Sequence, residues 1–204
     1  PLLYAGESNL IAGPGGVGKS WIGYAAAYSV AAAGNIAVVI DYESNIRTVR
    51  KRLKAMGVSR EVAGNIMYWN PQGSLMPGTP TRAALDSFLL QYPECFLLLD
   101  SVAKALSSAG KNENDNTEYN MFDSAVFQSW TDARVTSLLI DHTGHSADPR
   151  NAPSRARGAS SKNDRISGAS YVFEVRDPWS KNKSGRGALK CVKDREGNRV
   201  AGEV

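Results

Sequence analysis

Eight consecutive residues near the N-terminus have the types and spacing of a loop that binds nucleotide phosphates. The pattern G-x-x-x-x-G-K-[ST] is matched in full by Gly13-Pro14-Gly15-Gly16-Val17-Gly18-Lys19-Ser20. In such a loop, backbone N–H groups surround the phosphate oxygens, the lysine reaches the β and γ phosphates, and the final hydroxyl binds Mg²⁺. The sequence therefore predicts that residues 13–20, with Trp21 beside them, bind ATP. Lys19 is also predicted to be catalytic and Ser20 to bind Mg²⁺.

A carboxylate at the end of an apolar run could hold the metal ion that accompanies the nucleotide. The run Phe96-Leu97-Leu98-Leu99 has the composition of a buried strand and is followed by Asp100. In phosphoryl-transfer proteins with such a loop, an aspartate at a strand end lies next to the bound Mg²⁺. We therefore expect Asp100 to share the Mg²⁺ site with Ser20.

Hydrolysis also needs a group that activates water, and the residue after Asp100 is Ser101 rather than a second carboxylate. Asp41 and Glu43 stand at the end of the strand predicted after the glycine-rich loop. Ligands of parallel sheets collect at the carboxyl ends of the strands, so Glu43 is the predicted general base. Asp41 is a weaker candidate for that role, and a cap on the helix beginning near Asn45 is the alternative interpretation of Glu43.

A third apolar run, Leu138-Leu139-Ile140, ends in Asp141 and His142. A polar side chain at this strand end can bond the γ-phosphate or the attacking water and can report hydrolysis to the loop that follows. His142 is therefore the predicted catalytic sensor. A structural histidine is the alternative.

The periodicity of apolar residues indicates the elements that position these side chains. Predicted strands cover Asn9–Ala12, Asn35–Ile40, Ile66–Trp69, Cys95–Leu99, Ser137–Ile140 and Tyr171–Val175, and predicted helices cover Lys19–Ala33, Asn45–Met56, Arg82–Gln91 and Glu118–Ala133. Strands that alternate with helices predict an α/β fold with a mostly parallel sheet flanked by helices. Ala188–Val192 and Val200–Val204, on either side of Gly197, predict a C-terminal β-hairpin.

Length and composition favour one domain over residues 1–204. The chain is 42% hydrophobic, and no apolar run approaches the ~20 residues that a membrane span requires. The N-terminal residues lack the features of a secretion signal, so we expect a cytoplasmic protein with no membrane partner, and one that is the core of a longer chain. Cys95 and Cys191 are predicted to be packing thiols.

A long polar segment, Thr143–Arg165, is predicted to be a mobile loop that contacts nucleic acid. A basic flexible loop can follow a phosphate backbone without reading bases. The predicted contacts to single-stranded DNA are Arg150, Arg155, Arg157, Lys162 and Arg165. A second polar stretch within residues 103–120 is a weaker candidate for the same role.

The C-terminal region is basic, with eight basic and three acidic residues between positions 176 and 199. A phosphate-binding core without an arginine of its own near the γ-phosphate often borrows one from a neighbouring subunit. Head-to-tail packing of this kind gives a ring or a filament. A solvated basic face is the alternative.

Taken together, the motifs resemble those of RecA-like ATPases of replicative helicases, in particular the RepA helicase and its phage and plasmid relatives. The resemblance includes Arg52-Leu53-Lys54-Ala55-Met56-Gly57, the His142-Thr143-Gly144 strand end and the later Arg157-Gly158-Ala159-Ser160-Ser161. The C-terminal part is similar to helicases of DnaB type, in which a strand ends as Val175-Arg176-Asp177 does here, and a K-x-R-x-G turn resembles Lys193-Asp194-Arg195-Glu196-Gly197.

This resemblance implies a RecA-like fold and a hexameric, ATP-driven helicase on single-stranded DNA. It also implies that Lys193 and Arg195 act on the γ-phosphate of the neighbouring subunit. Arg176, at the end of the similar strand, is also predicted to be catalytic. Two other functions are compatible with the same motifs. The first is a recombination or repair ATPase of the RecA and RadA type, which forms filaments. The second is a non-motor ATP switch that assembles as a ring and whose hydrolysis is indifferent to DNA.

Overall fold

A single seven-stranded sheet organises the chain. The structure, a computed structural model, describes residues 2–143, 161–180 and 182–204. The strands are β1 Ser8–Gly13, β2 Ala37–Asp41, β3 Ile66–Trp69, β4 Phe96–Asp100, β5 Thr136–His142, β6 Ala169–Asp177 and β7 Arg186–Asp194. Their order is β3-β2-β4-β5-β1-β6-β7, and every neighbouring pair is parallel except β6 with β7. The predicted α/β class with a mostly parallel sheet is confirmed.

Helices cover both faces of the sheet. They are α1 Lys19–Ala32, α2 Ile46–Ala55, α3 Arg60–Ala63, α4 Pro80–Gln91, α5 Val102–Ser108, α6 Asn116–Ala125, α7 Phe127–Asp132 and α8 Ser161–Arg165. In the described ranges, no helix is long and apolar enough to cross a bilayer. Side chains cap four of the helices at the N-terminus, since Asn45, Ser59, Thr79 and Asp115 each accept a bond from a first-turn amide. Such caps satisfy donors that the helix itself leaves free.

The two faces of the sheet have separate cores, because successive residues of a strand point to opposite sides. Leu97 and Leu99 of β4 pack with the aromatic residues of α6 and α7. Leu98 instead packs with Tyr24 and Ala27 of α1. Gly23 allows α1 to approach β4 closely, since a Cβ atom at this position would lie 2.7 Å from Leu98 Cδ1.

The helix predicted at Glu118–Ala133 is two helices. The chain leaves helical geometry at Val126, where φ is −116° and ψ is −66°, and α7 begins at the next residue. Phe122, Val126 and Trp130 recur every four residues on both sides of the break and are all buried. Because the spacing of buried residues is the same on both sides of Val126, the sequence pattern could not show where the first helix ends.

The C-terminal hairpin is present, but its two strands are not those predicted. The antiparallel pair is β6 with β7, and residues 200–204 do not form a strand. The terminal residues nevertheless fold back on β7, because Cys191 N donates to Glu203 O at 2.8 Å and Gly202 N donates to Cys191 O at 2.8 Å. The sequence pattern correctly indicated that residues 200–204 return to β7. It wrongly predicted that they form the partner strand of the hairpin.

Candidate active site

The glycine-rich loop connects the end of β1 to the start of α1 and is closed on one side and open on the other. A Cβ atom at Gly13 would lie 3.1 Å from Phe173 O, and one at Gly18 would lie 3.0 Å from the Trp179 ring. Gly18 also has a φ of 95°, which a side chain disfavours. At Gly15 and Gly16 nothing lies within 4 Å of an added Cβ atom. The loop thus presents open space above its backbone.

The N-terminus of α1 opens onto this space and has no side-chain cap. Its first-turn amides and the positive end of the helix dipole therefore fit an anion. This arrangement fits the phosphate chain of a nucleotide and agrees with the predicted role of residues 13–20.

Lys19 lies inside the curve of the loop. Its Nζ atom donates to Gly13 O at 2.8 Å and to Pro14 O at 2.7 Å, and the residue is only 4% exposed. Burial lowers the pKa of the Lys19 amine, while the charges of Asp100, Glu43 and Asp141 oppose that effect. The ammonium group is therefore surrounded by carboxylates in a position next to the phosphate space.

Ser20 and Asp100 meet at the base of the cavity, where the Ser20 hydroxyl hydrogen-bonds the Asp100 carboxyl. Asp100 is 2% exposed. Burial, together with the charges of Asp41 and Glu43, raises its pKa to about 6, while the Ser20 hydrogen bond and the charge of Lys19 oppose the rise. The Ser20 hydroxyl and the Asp100 carboxylate are oxygen ligands of the kind that Mg²⁺ prefers, and negative charge lies close by. Mg²⁺ takes one or two protein ligands and completes its coordination shell with phosphates and water. Among the described residues, no group of three or more His, Cys, Asp or Glu side chains is arranged to hold a metal ion on its own.

Glu43 lies across the cavity from the loop and receives two hydrogen bonds on one oxygen. Its Oε1 atom accepts from Ser101 Oγ at 2.5 Å and lies 3.0 Å from His142 Nε2. About 31% of its side-chain surface is exposed. The bond to His142, the bond from Ser101 and the charges of His142 and Lys104 together lower the pKa of Glu43 to about 2, against the opposing effect of burial. Glu43 is thus an anion next to the sensor predicted at His142.

Asp41 has a structural role in the turn after β2. Both of its carboxylate oxygens are occupied, Oδ2 by Tyr24 OH at 2.9 Å and Oδ1 by the backbone amides of Glu43 and Ser44 at 2.8 and 2.7 Å. The side chain is fully buried. Asp41 therefore shapes the turn that carries Glu43. The capping interpretation of Glu43 is also unsupported, since Asn45 caps α2.

These side chains surround a cavity of about 350 Å³ at the carboxyl ends of the parallel strands. It is lined by Gly16, Gly18, Lys19, Ser20, Trp21, Glu43, Ser44, Arg52, Asp100, Ile140 and His142. The structure therefore brings most of the predicted nucleotide, metal and catalytic residues to one place. Their individual roles stay predictions.

Sequence reasoning missed Arg52 as part of this cavity. Arg52 extends from α2 with its guanidinium 5.4 Å from the Tyr24 ring centre, and its Nη1 atom donates to Ser44 Oγ at 3.4 Å. Arg52 therefore gives the cavity an arginine from the same chain, which the sequence reasoning did not anticipate. The only hint of this residue in the sequence was the amphipathic helix predicted after Glu43. Its basic side chains were equally consistent with a face exposed to solvent.

The residues predicted to act on a neighbouring subunit lie away from this cavity. Lys193 Nζ donates to the carbonyls of Asn163, Asp164 and Ile166 at 2.6–2.9 Å, and Arg195 Nη2 donates to Asp164 O at 2.9 Å. Both side chains thus satisfy carbonyl groups at the end of α8. Arg176 is half exposed and pairs with Glu174 at 2.8 Å.

The predicted DNA contacts fall into two groups. Arg150, Arg155 and Arg157 lie outside the described residues. Lys162 lies in α8, is 1% exposed and forms a buried ion pair with Asp141 at 2.8 Å. Its prediction as a DNA contact is corrected, because its amine is buried and paired. Arg165 is also in α8 and bonds Asp123, and its Nη2 atom donates to Ser124 Oγ at 2.7 Å.

One comparison with known proteins assigns a family. The family model of the AAA domain matches residues 1–148. The matched range includes the glycine-rich loop, Glu43, Asp100 and His142, and it covers well over half of the chain. A search of curated proteins finds no match.

Proposed function

The chain belongs to the AAA domain family of P-loop ATPases, and from that premise we propose that it is an ATP-hydrolysing motor on single-stranded DNA. We propose further that it works as a homo-oligomeric ring, as hexameric replicative helicases of the RepA and DnaB type do. The observation that carries this proposal is the hydrogen bond between Glu43 and His142. It joins the predicted base to the strand end from which the basic segment 143–165 begins.

Each side chain around the cavity suits one part of ATP hydrolysis. Lys19 neutralises the β and γ phosphates. Ser20 and Asp100 would hold a Mg²⁺ ion, which would supply positive charge to stabilise the transferred phosphoryl group. Glu43 takes a proton from the attacking water, whose oxygen bonds the γ-phosphorus while the bond to the β–γ bridging oxygen breaks. The products are ADP and inorganic phosphate.

His142 is suited to couple this step to DNA. Its Nε2 atom contacts Glu43, and Thr143, the next residue, begins the segment with five basic and two acidic residues. A change in the bond between His142 and Glu43 during hydrolysis would act directly on the start of this segment. Electrostatic contact with a phosphate backbone is sequence-independent and suits a translocating motor.

Support for a ring comes from the basic C-terminal region. Arg176 is exposed on β6 and Arg195 is exposed directly after β7, and both carry charge that a neighbour's γ-phosphate could attract. Because Lys193 and Arg195 bond α8 carbonyls within one chain, they would exchange those partners on assembly.

The decisive experiment measures ATPase rate with and without single-stranded DNA, together with particle images of the assembly. We expect stimulation by single-stranded DNA that falls as salt rises. Arg155→Ala with Arg157→Ala should lose this stimulation and keep the basal rate. Arg47→Ala with Arg50→Ala is the matched control, since it removes the same charge from the exposed side of α2. A basal rate that DNA leaves unchanged would refute the motor.

One observation favours a second candidate, a ring-forming ATP switch that does not act on DNA. Of the predicted DNA contacts, the two in the described part of the chain, Lys162 and Arg165, are engaged by Asp141 and Asp123. This candidate predicts ATP-dependent oligomers and hydrolysis that is indifferent to DNA. The experiment above separates the two functions.

A further inference from the structure

Ser101 occupies the N-cap position of α5 but does not cap the helix. Its side chain makes no bond to a first-turn amide of α5. Serine at an N-cap normally accepts such a bond, and Ser59 does so for α3. Ser101 is fully buried, and its hydroxyl instead donates to Glu43 Oε1 at 2.5 Å. The Ser101 hydroxyl is therefore used to bond Glu43, at the neighbouring strand end, instead of capping α5.

Two hydrogen bonds fix one oxygen of Glu43. Ser101, from the end of β4, and His142, from the end of β5, both contact Oε1. Within the described part of the chain, Oε2 has no hydrogen-bond partner. The side chain is thus held at one oxygen by two neighbouring strands, and the other oxygen is left for a water molecule in the nucleotide cavity.

We propose that Ser101 is a positioning residue for ATP hydrolysis, which holds Glu43 Oε1 so that Oε2 can take the proton of the attacking water. This inference rests on the proposed function, because it assigns a second residue to the same reaction. Ser101 itself touches neither the nucleotide nor the water. It acts through Glu43, whose side chain could otherwise rotate about its terminal bonds and lose the geometry that proton transfer needs.

The charged groups around Glu43 explain why a hydroxyl serves at this position. His142 and Lys104 favour the ionised carboxylate, and Lys19 lies on the opposite wall. Asp100 is a like charge and repels Glu43. A second carboxylate after Asp100 would add to that repulsion, whereas the Ser101 hydroxyl adds no charge and donates a hydrogen bond to Glu43.

The test compares Ser101→Ala with wild type and with Ser107→Ala, a change of the same size at an exposed position of α5. Ser101→Ala should lower kcat roughly 10- to 100-fold, the effect of one hydrogen bond to a charged group, and should leave the KM for ATP nearly unchanged. The acid limb of the pH profile should move to higher pH. Ser101→Thr keeps the hydroxyl and should restore most of the rate.

A double-mutant cycle separates positioning from a general structural role. In the Glu43→Gln background, Ser101→Ala should cause little further loss, because the carboxylate it positions is gone. Losses that multiply would overturn the inference, as would an unchanged kcat in Ser101→Ala.

A readout without turnover keeps this inference distinct from the ATPase proposal. The titration of the Glu43 carboxyl carbon can be followed by NMR in the ligand-free protein. Its pKa, about 2 in this structure, should rise in Ser101→Ala and stay in place in Ser107→Ala. An unchanged titration refutes the role of Ser101 even if ATP is hydrolysed. A shifted titration in a protein without ATPase activity refutes the proposed function instead.

Discussion

Asp100→Asn should stabilise the protein without ligand and remove its response to Mg²⁺ and ATP. Asp100 is almost fully buried, and its pKa rises from the ordinary value of 3.8 to about 6. At neutral pH, holding this carboxylate ionised costs about 3 kcal/mol, since each pKa unit corresponds to about 1.4 kcal/mol. Asparagine keeps the size and one acceptor for the Ser20 hydroxyl. We therefore expect a gain of up to about 3 kcal/mol, or roughly 6–12 °C in Tm.

The pH dependence identifies the source of this gain. Because the folded pKa of Asp100 is raised, its unfavourable effect is absent below pH 3.8, grows between pH 3.8 and about 6, and is fully present above that. The stability difference between Asp100→Asn and wild type should therefore be large at pH 7.5 and small near pH 4. Urea unfolding at several pH values measures it. Glu94→Gln, which removes an exposed carboxylate, is the control and should show no such trend.

Ligand addition should reverse the order of the two proteins. Mg²⁺ with ATP should raise the Tm of wild type, because the ion neutralises the buried carboxylate, and should raise that of Asp100→Asn much less. If Asp100→Asn is less stable than wild type at pH 7.5, or if the difference is the same at every pH, the assigned electrostatics of this site are wrong.

Four further substitutions test the remaining roles. Lys19→Ala should abolish hydrolysis and weaken nucleotide binding while the fold survives, as measured by turnover, titration with labelled ATP and circular dichroism. Glu43→Gln should bind ATP and Mg²⁺ but hydrolyse ~10²- to 10⁴-fold more slowly, whereas Asp41→Asn should instead lower the Tm, because Asp41 bonds Tyr24 and the Glu43 amide. Arg195→Ala should be inactive alone and regain activity when mixed with Lys19→Ala, measured as ATPase in mixed assemblies confirmed by mass.

Each of these has an outcome that contradicts it. Turnover by Lys19→Ala would remove the ATPase assignment. An active Glu43→Gln beside a silent but folded Asp41→Asn would move the general base to Asp41. Mixed assemblies that stay inactive would mean that Arg195 acts within its own subunit, where it bonds the end of α8.

The sequence predicted the parts of the site that depend on short patterns. The glycine-rich loop is one continuous run, and parallel strands bring Glu43, Asp100 and His142 to the same edge because each lies at or just after the end of a buried strand. Local patterns also located most helices and strands. The choice between Asp41 and Glu43 required the structure, because it depends on which carboxylate is occupied by Tyr24 and two backbone amides.

The residues that the sequence did not predict act through contacts between distant segments. Arg52 reaches the cavity only because α2 packs beside α1. Ser101 is an ordinary N-cap serine in the sequence, and its bond to Glu43 crosses from β4 to the turn after β2. The burial of Lys162 likewise depends on a partner 21 residues away at the end of β5.

The buried pair of Lys162 and Asp141 ties together the two ends of residues 144–160. Asp141 precedes that stretch and Lys162 follows it, and their 2.8 Å contact is almost completely shielded from water. Separating such a pair leaves an uncompensated buried charge, at about 3–5 kcal/mol. The pair therefore fixes α8 to the end of β5, next to His142 and at the edge of the sheet that carries the cavity. A substitution at Lys162 should accordingly affect the geometry of the candidate active site as well as the stability of the fold.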